Sequence, residues 1–391
     1  MPESTDSAVS AEDFVDILDG LRQFIRGKVI PLEREIAEKD EIPQELRELA
    51  KDMGLFGYAI DQEWGGIGLD VVQQAELAIE LGYTSLAFRS MFGTNNGIAG
   101  QVIEGFGTDA QKEQWLAAIA SGEVVASFAL TETGAGSSPA SIRTKAVKTA
   151  DGWSISGEKR YITNAPSADI FIAFAKVIND AGEAKVEVFI VPSKTPGITV
   201  GPHDKKMGQA GAWTADVHFD EVKVGDDALV GGKPGIGNKA ALTSLAKGRI
   251  TIAGLAVGQA QRVLDESLAY ATIAKQGDHV IGDYQLVQAM LADQQVGVSA
   301  GRALVLDAAR NYMNGSDTRV GPSVAKLYCT EMVGRVADMG VQIHGGAGYI
   351  RDYPVEQIYR DVRLLRLYEG TSEIQRLIIG SNLVKQKLAE G

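Results

Sequence analysis

The strongest constraint on the fold of this chain is the order of its hydrophobic periodicities, which change from helical to strand-like and back to helical. Residues 12–127 carry apolar side chains three and four positions apart, as at Phe14, Ile17, Leu18 and Leu21, which is the spacing of a buried helix face. Between about residues 124 and 229 the pattern shortens to the alternation typical of strands. After residue 239 long helical patterns return. A doubly wound fold would alternate strands with helices, so this order argues against one and predicts an α+β chain.

The same pattern predicts three domains. A length of 391 residues corresponds to two or three domains at roughly 150 residues each. We expect an N-terminal helical domain over residues 1–127, a middle β domain over 128–238 and a C-terminal helical bundle over 239–391. An antiparallel bundle would be built from four long amphipathic segments, at residues 239–274, 284–313, 322–343 and 372–388.

The amino-acid composition argues against several classes of function. The chain has 38 Lys and Arg against 51 Asp and Glu, a formal charge of −13, so we expect no nucleic-acid partner because nothing would neutralise the phosphates. The single cysteine, Cys329, allows no internal disulfide, and four scattered histidines show no metal-ligand spacing, so no metal site is expected. The first twelve residues are polar and acidic, unlike a targeting peptide, and no apolar run approaches ~18 residues. We therefore expect a cytoplasmic protein with no membrane association.

Two segments near the start of the β domain are candidates for binding a ligand. Residues 130–138 (LTETGAGSS) form a small-residue loop, whose backbone N–H groups suit an anion or the edge of a heterocycle. A tight inter-domain turn explains this loop equally well. In residues 159–164 (KRYITN), Tyr161 and Thr163 would share one face of a strand. There they could stack on and hydrogen-bond a flat cofactor, although residue type alone favours an ordinary half-buried strand.

Two further candidate segments lie in the C-terminal part. The glycines of residues 341–349 (VQIHGGAGY) suit the end of a helix, and they would also let the backbone approach a pyrophosphate. In residues 367–375 (LYEGTSEIQ), Ser372 and Gln375 form a capping box that predicts a helix starting near Glu373. Glu369 would then lie on the loop before that helix. It could simply complement the helix dipole or act as a general base, and spacing leaves both roles open.

Taken together and in this order, these segments resemble the acyl-CoA dehydrogenase family of flavoproteins, from about residue 12 to residue 388. Any one motif is a weak signal, whereas five in register are specific. The motifs are TETGAGS (131–137), YITNAPSADIF (161–171), KMGQAGAWTADVHFDEV (206–222), VQIHGGAGYIRDYPVEQIYRDVR (341–363) and YEGTSEIQRL (368–377). The resemblance implies the family's fold, with an N-terminal helical domain, a middle β domain and a C-terminal four-helix bundle.

The resemblance also implies an activity. Family members bind FAD, usually form homotetramers (dimers of dimers), and oxidise an acyl-CoA thioester to the trans-2-enoyl-CoA, as in fatty acid β-oxidation. They pass the electrons to an electron-transferring flavoprotein. In that reaction a base removes a proton from Cα while a hydride leaves Cβ for flavin N5, and Glu369 matches the base. Some members place the base on the first bundle helix, but the matching residue here is Gly248, which has no side chain.

Further site residues carry over from the same resemblance. Residues that match FAD contacts are Leu130, Thr131, Gly136, Ser137, Tyr161, Thr163, Gln342, Gly346, Thr371 and Glu373. Of these, Gln342 and Gly346 match residues that reach the FAD diphosphate of a neighbouring subunit, which implies at least a dimer. Residues that match substrate contacts are Ser137, Arg249, Arg89, Tyr368 and Gly370.

The chain also departs from the family pattern. Ala274 and Gly277 occupy the positions of a family Arg and Phe near the FAD diphosphate, so FAD affinity is open, although Lys275 offers a point charge.

The acyl group is open as well. Residues 88–90 (FRS) resemble a Tyr-Arg-Ser stretch of glutaryl-CoA dehydrogenase, whose arginine meets the distal carboxylate of the substrate. Either Arg89 recognises a dicarboxylic acyl group, or it pairs with a nearby carboxylate or faces solvent, and the substrate is then a short- or medium-chain ester. Two other functions stay open: an acyl-CoA oxidase that uses oxygen directly, and a CoA-ester-binding protein without activity.

Overall fold

The computed structural model describes residues 9–178 and 183–390. Its N-terminal region is helical, and the helical spacing at Phe14 and Leu21 is confirmed because both side chains are buried on the first helix. The helices of this region are α1 (Ala11–Phe24), α2 (Glu33–Lys39), α3 (Gln44–Asp52), α4 (Val71–Leu81), α5 (Leu86–Asn96), α6 (Gly100–Phe106) and α7 (Asp109–Ser121).

The middle region forms one mixed sheet. Its strands are β1 (Ala126–Ala129), β2 (Lys145–Thr149), β3 (Gly152–Thr163), β4 (Ile170–Ile178), β5 (Ala184–Pro192), β6 (Ile198–Val200) and β7 (Thr214–Val224). The strand order is β1-β4-β2-β3-β7-β6, and β5 pairs with β4. β4 runs parallel to β1 and antiparallel to β5. It is buried along nearly its whole length, as its continuous apolar sequence predicts.

The C-terminal region returns to helices, so the predicted helix–sheet–helix order is confirmed. Its elements are α8 (Gly237–Ile273), the short strands β8 (Lys275–Gln276) and β9 (His279–Val280), then α9 (Gln285–Met313), α10 (Val320–His344), α11 (Pro354–Val362) and α12 (Ser372–Ala389). Within the described ranges α8 alone is long and apolar enough to cross a membrane, with a mean hydropathy of 1.2, but 72% of that window is buried inside the protein. Its apolar character therefore fits the central helix of a bundle.

The cores show how these regions fit together. One cluster of buried side chains runs from the N-terminal helices into the bundle and includes Phe88, Phe92, Val257 and Val336. A second joins α6 and α7 to one face of the sheet, and a third lies on the other face. Because helices and sheet share these cores, the end of the sheet lies against the bundle, and the candidate site forms at that junction.

The structure differs from the sequence pattern at several places. The helical pattern of residues 12–127 is interrupted between α5 and α6, because Asn95 and Asn96 bond to backbone groups of other segments and Gly97 leaves helical geometry. Short elements were also missed, namely β1, β2, β6, α11 and the β8–β9 hairpin, since each is too short to show a periodicity.

Candidate active site

A cavity of about 850 Å³ lies elsewhere between bundle helices, but a second one, of about 800 Å³, contains most of the predicted site residues. It opens where the loop after β1, the end of β3, the loop before β7 and the segment before α12 meet. The predicted residues that line it are Thr131, Gly136, Ser137, Tyr161, Thr163, Tyr368, Glu369, Gly370 and Thr371. We take the smaller cavity as the candidate site because segments far apart in sequence bring these residues together.

The loop carrying Glu369 has an unusual backbone. Glu369 has φ +51° and Gly370 has φ +90°, the left-handed region that residues other than glycine seldom adopt. The predicted capping box is wrong: α12 is capped one residue earlier by Thr371, whose hydroxyl accepts from the Ile374 N–H. Gln375 instead donates to the Gly370 carbonyl at 2.8 Å. Its side chain is therefore used to hold the loop.

The carboxylate of Glu369 is held without a hydrogen-bond partner. Its Oε2 is buried and unpaired, although the residue as a whole is part-exposed to the cavity. Gly248 on α8 lies directly against it, since a Cβ built there would be 2.3 Å from Oε2. The absence of a side chain at Gly248 therefore makes the space that the Glu369 carboxylate occupies.

Burial raises the pKa of Glu369, and three cations oppose that shift: Arg89, Lys326 and Arg249. They approach from α5, α10 and α8 respectively. Arg249 is itself buried, its Nε has no partner, and burial lowers its pKa. A carboxylate that is desolvated but kept near positive charge has the properties of a general base matched to neutral pH.

The loop predicted to hold the flavin is stabilised by buried hydrogen bonds of Glu132 and Lys159. Glu132 accepts from Lys159 Nζ at 2.8 Å and from the Thr144 hydroxyl at 2.6 Å, and the Lys159 ammonium also donates to the Leu130 carbonyl. The Leu130 side chain is buried in the core and is not among the residues that line the cavity. The cavity side of this loop is supplied by Thr131, Gly136 and Ser137.

The adjoining strand end exposes an aromatic ring to the cavity. Tyr161 has φ +58° at an irregularity in the β3–β7 pairing and is 59% exposed, with the Arg160 guanidinium 4.8 Å from its ring centre. Thr163 lines the same cavity, as predicted from the shared face. Gly136 has open space where a Cβ would be. A flat ring, a hydroxyl and an open glycine loop around one cavity fit the isoalloxazine of FAD.

Several predicted residues lie outside this cavity. Gln342 and Gly346 are exposed at the end of α10, and Glu373 is exposed on α12. The proposed role of Gln342 and Gly346 toward a neighbouring subunit stays a prediction. Ala274 ends α8 and Gly277 turns the β8–β9 hairpin with φ +62°, so both departures also lie away from the cavity.

Arg89 lies behind the carboxylate rather than at the cavity surface. Its guanidinium folds over Gly93, where a Cβ would be 2.7 Å away, and its charge acts on the hydroxyl of the buried Tyr58. Its Nε has no partner. Burial raises the pKa of both Tyr58 and Tyr368, and Arg89 opposes the shift in each case. The expectation that Arg89 faces solvent is thus not met, because the side chain is packed among Tyr58, Tyr368 and Glu369.

Sequence reasoning missed three residues of this site. Lys326 donates to the Gly370 carbonyl at 2.7 Å, Gln375 supports the same carbonyl, and Tyr58 contacts Arg89. Tyr58 lies in a turn before the first glycine-rich loop and carries no motif. A lysine within the apolar stretch of α10 is the one available signal, because a fully buried lysine needs a partner.

Comparison with known protein families agrees with this geometry. Models of the acyl-CoA dehydrogenase N-terminal, middle and C-terminal domains match residues 11–123, 127–222 and 235–384. A 3-(aryl)acrylate reductase of Clostridium sporogenes is 35% identical, over 93% of this chain and 96% of the relative. The CarC subunit of the caffeyl-CoA reductase–Etf complex of Acetobacterium woodii is 36% identical, over 90% of this chain and 93% of that protein.

Solved structures show the same fold. Butyryl-CoA dehydrogenase from Megasphaera elsdenii has a TM-score of 0.91 at 31% identity, covering 97% of this chain and 100% of that chain. Glutaryl-CoA dehydrogenase from Mycobacterium smegmatis has a TM-score of 0.88 at 32% identity, covering 96% and 95%. An acyl-CoA dehydrogenase from Bacillus anthracis, solved with FAD, has a TM-score of 0.91 at 30% identity, covering 97% and 68%.

Proposed function

The chain belongs to the acyl-CoA dehydrogenase family, and from that premise we propose that it removes the Cα proton of an acyl-CoA thioester with Glu369. The family assigns a flavin-dependent acyl-CoA oxidoreductase with FAD as cofactor. An enzyme is therefore favoured over a CoA-ester-binding protein without activity. The proposal concerns the finer points, which are the base, the acyl group and the direction of the reaction.

The observation that carries the assignment of the base is the unpaired, buried Oε2 of Glu369 at the cavity. A thioester Cα–H is weakly acidic, so its removal needs a desolvated base and a polarised carbonyl. Glu369 meets the first need. For the second, its own backbone N–H is available to a carbonyl oxygen, since it bonds to no other described residue. FAD, when bound, supplies the acceptor for the hydride that leaves Cβ.

The other cavity residues position the substrate and cofactor. Thr131, Gly136 and Ser137 offer hydroxyl and backbone groups at one side, while Tyr161 and Thr163 offer a ring and a hydroxyl beside them. Tyr368 lies next to Glu369 and, being largely buried, keeps water away from the carboxylate. Exclusion of water strengthens every charge interaction in the site.

The assignment of the base is tested by Glu369→Gln, which keeps the shape of the side chain and removes the carboxylate. We expect this variant to remain yellow while anaerobic reduction of its flavin by the acyl-CoA falls at least ~10³-fold, within the range for loss of a general base. Asp293→Asn on the exposed part of the bundle serves as a control for loss of one negative charge. Reduction at the wild-type rate by Glu369→Gln would refute the assignment.

We further propose that Arg89 takes part in recognising the acyl group. Arg89 is part-exposed and does not line the cavity, but its Nε is buried beside the base without a partner. A buried guanidinium nitrogen is costly to leave unpaired unless an anion approaches it, and a substrate with a distal carboxylate would provide one. Anaerobic mixing with glutaryl-, butyryl- and octanoyl-CoA tests this by the bleaching of oxidised flavin. We expect Arg89→Met to lose about 100-fold for glutaryl-CoA and little for butyryl-CoA, while Arg47→Met on α3 changes neither. Bleaching of the wild type by the monocarboxylic esters alone would discard the role of Arg89 and leave Glu369 in place.

Direction and electron acceptor are proposed from the relatives. Two of them are named as reductases, and the same base can return a proton to Cα when the reaction runs backwards. The anaerobic substrate test therefore also includes an arylacryloyl-CoA, which is added to the reduced enzyme. We propose an electron-transferring flavoprotein as partner because one relative is a subunit of an Etf complex. Steady oxygen consumption with substrate alone would instead indicate an acyl-CoA oxidase.

We also propose a homotetramer. The last helix, α12, exposes a row of apolar side chains, Leu377, Leu383, Val384 and Leu388, which is unfavourable for a helix facing water. Light scattering on the purified protein tests the assembly, and a monomer at micromolar concentration would exclude it.

A further inference from the structure

A buried lysine on α10 lies behind the loop that carries the base. Lys326 has no exposed surface and is not among the residues that line the cavity. Its ammonium donates to the backbone carbonyl of Gly370 at 2.7 Å. A lysine is rarely buried completely without a partner, and here the partner is the carbonyl of the residue that follows Glu369.

The peptide that Lys326 holds has a conformation that needs support. Glu369 and Gly370 both have positive φ, and for a residue with a side chain this conformation is strained. Two donors from different helices meet on the Gly370 carbonyl, Lys326 Nζ from α10 and Gln375 Nε2 from α12 at 2.8 Å. The loop is therefore fixed from both sides.

Lys326 also brings a charge close to the carboxylate. Burial lowers the pKa of Lys326 to about 8, and the charge of Glu369 opposes this. Below that pH the ammonium is positive and favours the ionised form of Glu369.

Other groups face this pair from every neighbouring helix. On the side of Glu369 these are Arg89 from α5 and Arg249 from α8. On the side of Lys326 they are Arg249, Glu331 from its own helix and Glu373 from α12. The pKa of Lys326, about 8, lies near the working pH range, so the charge of this cation beside Glu369 can change there.

We propose that Lys326 is a positioning residue for the base, which holds the left-handed turn at Glu369–Gly370 through the Gly370 carbonyl and places a positive charge beside the carboxylate. The inference rests on the proposed role of Glu369 and adds to it. Lys326 does not touch the cavity, so it acts on the reaction only through Glu369. Two effects of its loss can then be separated, one on the orientation of the base and one on its titration.

The test compares Lys326→Met, which removes both the donor and the charge, with Lys326→Gln, which retains a donor. The measurement is the limiting rate of anaerobic flavin reduction by the best substrate, as a function of pH. We expect both variants to move the acid limb of the profile upward by roughly one pH unit, because a cation that lowers the pKa of Glu369 is lost. The plateau should fall about tenfold in Lys326→Met, owing to misplacement of the base, and recover in part in Lys326→Gln. The KM for substrate should change little.

Lys247→Met is the matched control. Lys247 is a part-exposed lysine on α8 next to Gly248. Burial lowers its pKa as it does for Lys326, but the carboxylates around it are Glu104, Asp61 and Asp70 rather than Glu369. We expect the pH profile of flavin reduction by Lys247→Met to keep the acid limb of the wild type. A Lys326→Met enzyme that is merely less stable, with an unshifted limb, would overturn the proposal.

A second measurement requires no turnover, so it can also be made on a variant that has lost activity. Infrared titration of the substrate-free protein, with the Glu369 carboxyl band identified by its loss in Glu369→Gln, reports the protonation of Glu369 directly. The band should persist to higher pH in both Lys326 variants. An unchanged titration would refute the role of Lys326, whereas full activity of Glu369→Gln would refute the proposed base, so the two failures are distinguishable.

Discussion

Glu132 and Glu369 both lie in glycine-containing loops, Glu132 in the loop after β1 and Glu369 in the loop before α12. Each loop lies beside a fully buried lysine. Glu132 accepts hydrogen bonds from Lys159, from the Thr144 hydroxyl and from the backbone N–H groups of Arg143 and Thr144. Although burial raises its pKa, these bonds outweigh burial and the pKa lies below its usual value. Glu369 has no partner at Oε2, and its pKa is raised.

The two lysines make the contrast sharper. Burial lowers the pKa of each to about 8. Lys159 pairs directly with its glutamate at 2.8 Å, whereas Lys326 bonds to a backbone carbonyl one residue away. A satisfied carboxylate stabilises a loop, while an unsatisfied one remains free to take a proton. The comparison indicates that the hydrogen bonds left unmade, rather than burial itself, distinguish the proposed base from the structural glutamate.

The most direct test of this comparison is to replace each glutamate in turn with the neutral glutamine. Glu132→Gln should destabilise the protein by about 3 kcal/mol, because Lys159 is then left as an uncompensated buried charge, and its flavin should dissociate more readily. Glu369→Gln should unfold at the same or a higher temperature than the wild type while losing activity. Thermal unfolding and retained flavin absorbance measure both. Equal losses of stability in the two variants would contradict the distinction.

A smaller effect is expected from filling the space at the base. Gly248→Ala would place a Cβ 2.3 Å from the Glu369 Oε2, so the carboxylate must move. We expect the limiting rate of flavin reduction to fall about 10- to 100-fold. Gly105→Ala is the control, since Gly105 also lies in a helix and nothing is within 4 Å of its Cβ position. An unaffected rate in Gly248→Ala would show that the base does not need this space.

The smallest effect concerns how stability depends on pH. The folded-state pKa of Glu132 is lowered, so its stabilisation is present above the unfolded value and is lost as pH falls through the folded value. The folded-state pKa of Glu369 is raised, so its favourable contribution is complete below pH ~4.5 and is lost as pH rises through the folded value.

Urea unfolding between about pH 3 and pH 8 should show these opposite slopes, the Glu132 effect below the unfolded value and the Glu369 effect above it. The advantage of the wild type over Glu132→Gln should shrink toward low pH. Any advantage of Glu369→Gln over the wild type should grow toward neutral pH. Parallel curves for the wild type and Glu369→Gln would mean that the carboxylate titrates as if it were in water.

Much of the fold and the site was predictable from sequence. Hydrophobic periodicity predicted the helix–sheet–helix order, and it predicted the long bundle helices to within a few residues. The motif at residues 367–375 contains Glu369, although its spacing left the role of that residue open. Tyr161 and Thr163, predicted to share a face, both line the cavity. The capping box failed because Thr371 and Ser372 are equally suitable caps, and Gln375 was already engaged with the Gly370 carbonyl.

The sequence by itself determined the order of the regions, because hydrophobic spacing reports which faces are buried, and it determined which chemical groups are present. It did not contain the environment of those groups. That Gly248 makes room for Glu369, that Arg89 lies among Tyr58, Tyr368 and the base, and that Lys326 holds the following peptide are relations between residues far apart in the chain. Only tertiary structure decides them, since the pKa of a carboxylate depends on desolvation and nearby charge, and both are properties of the folded surroundings.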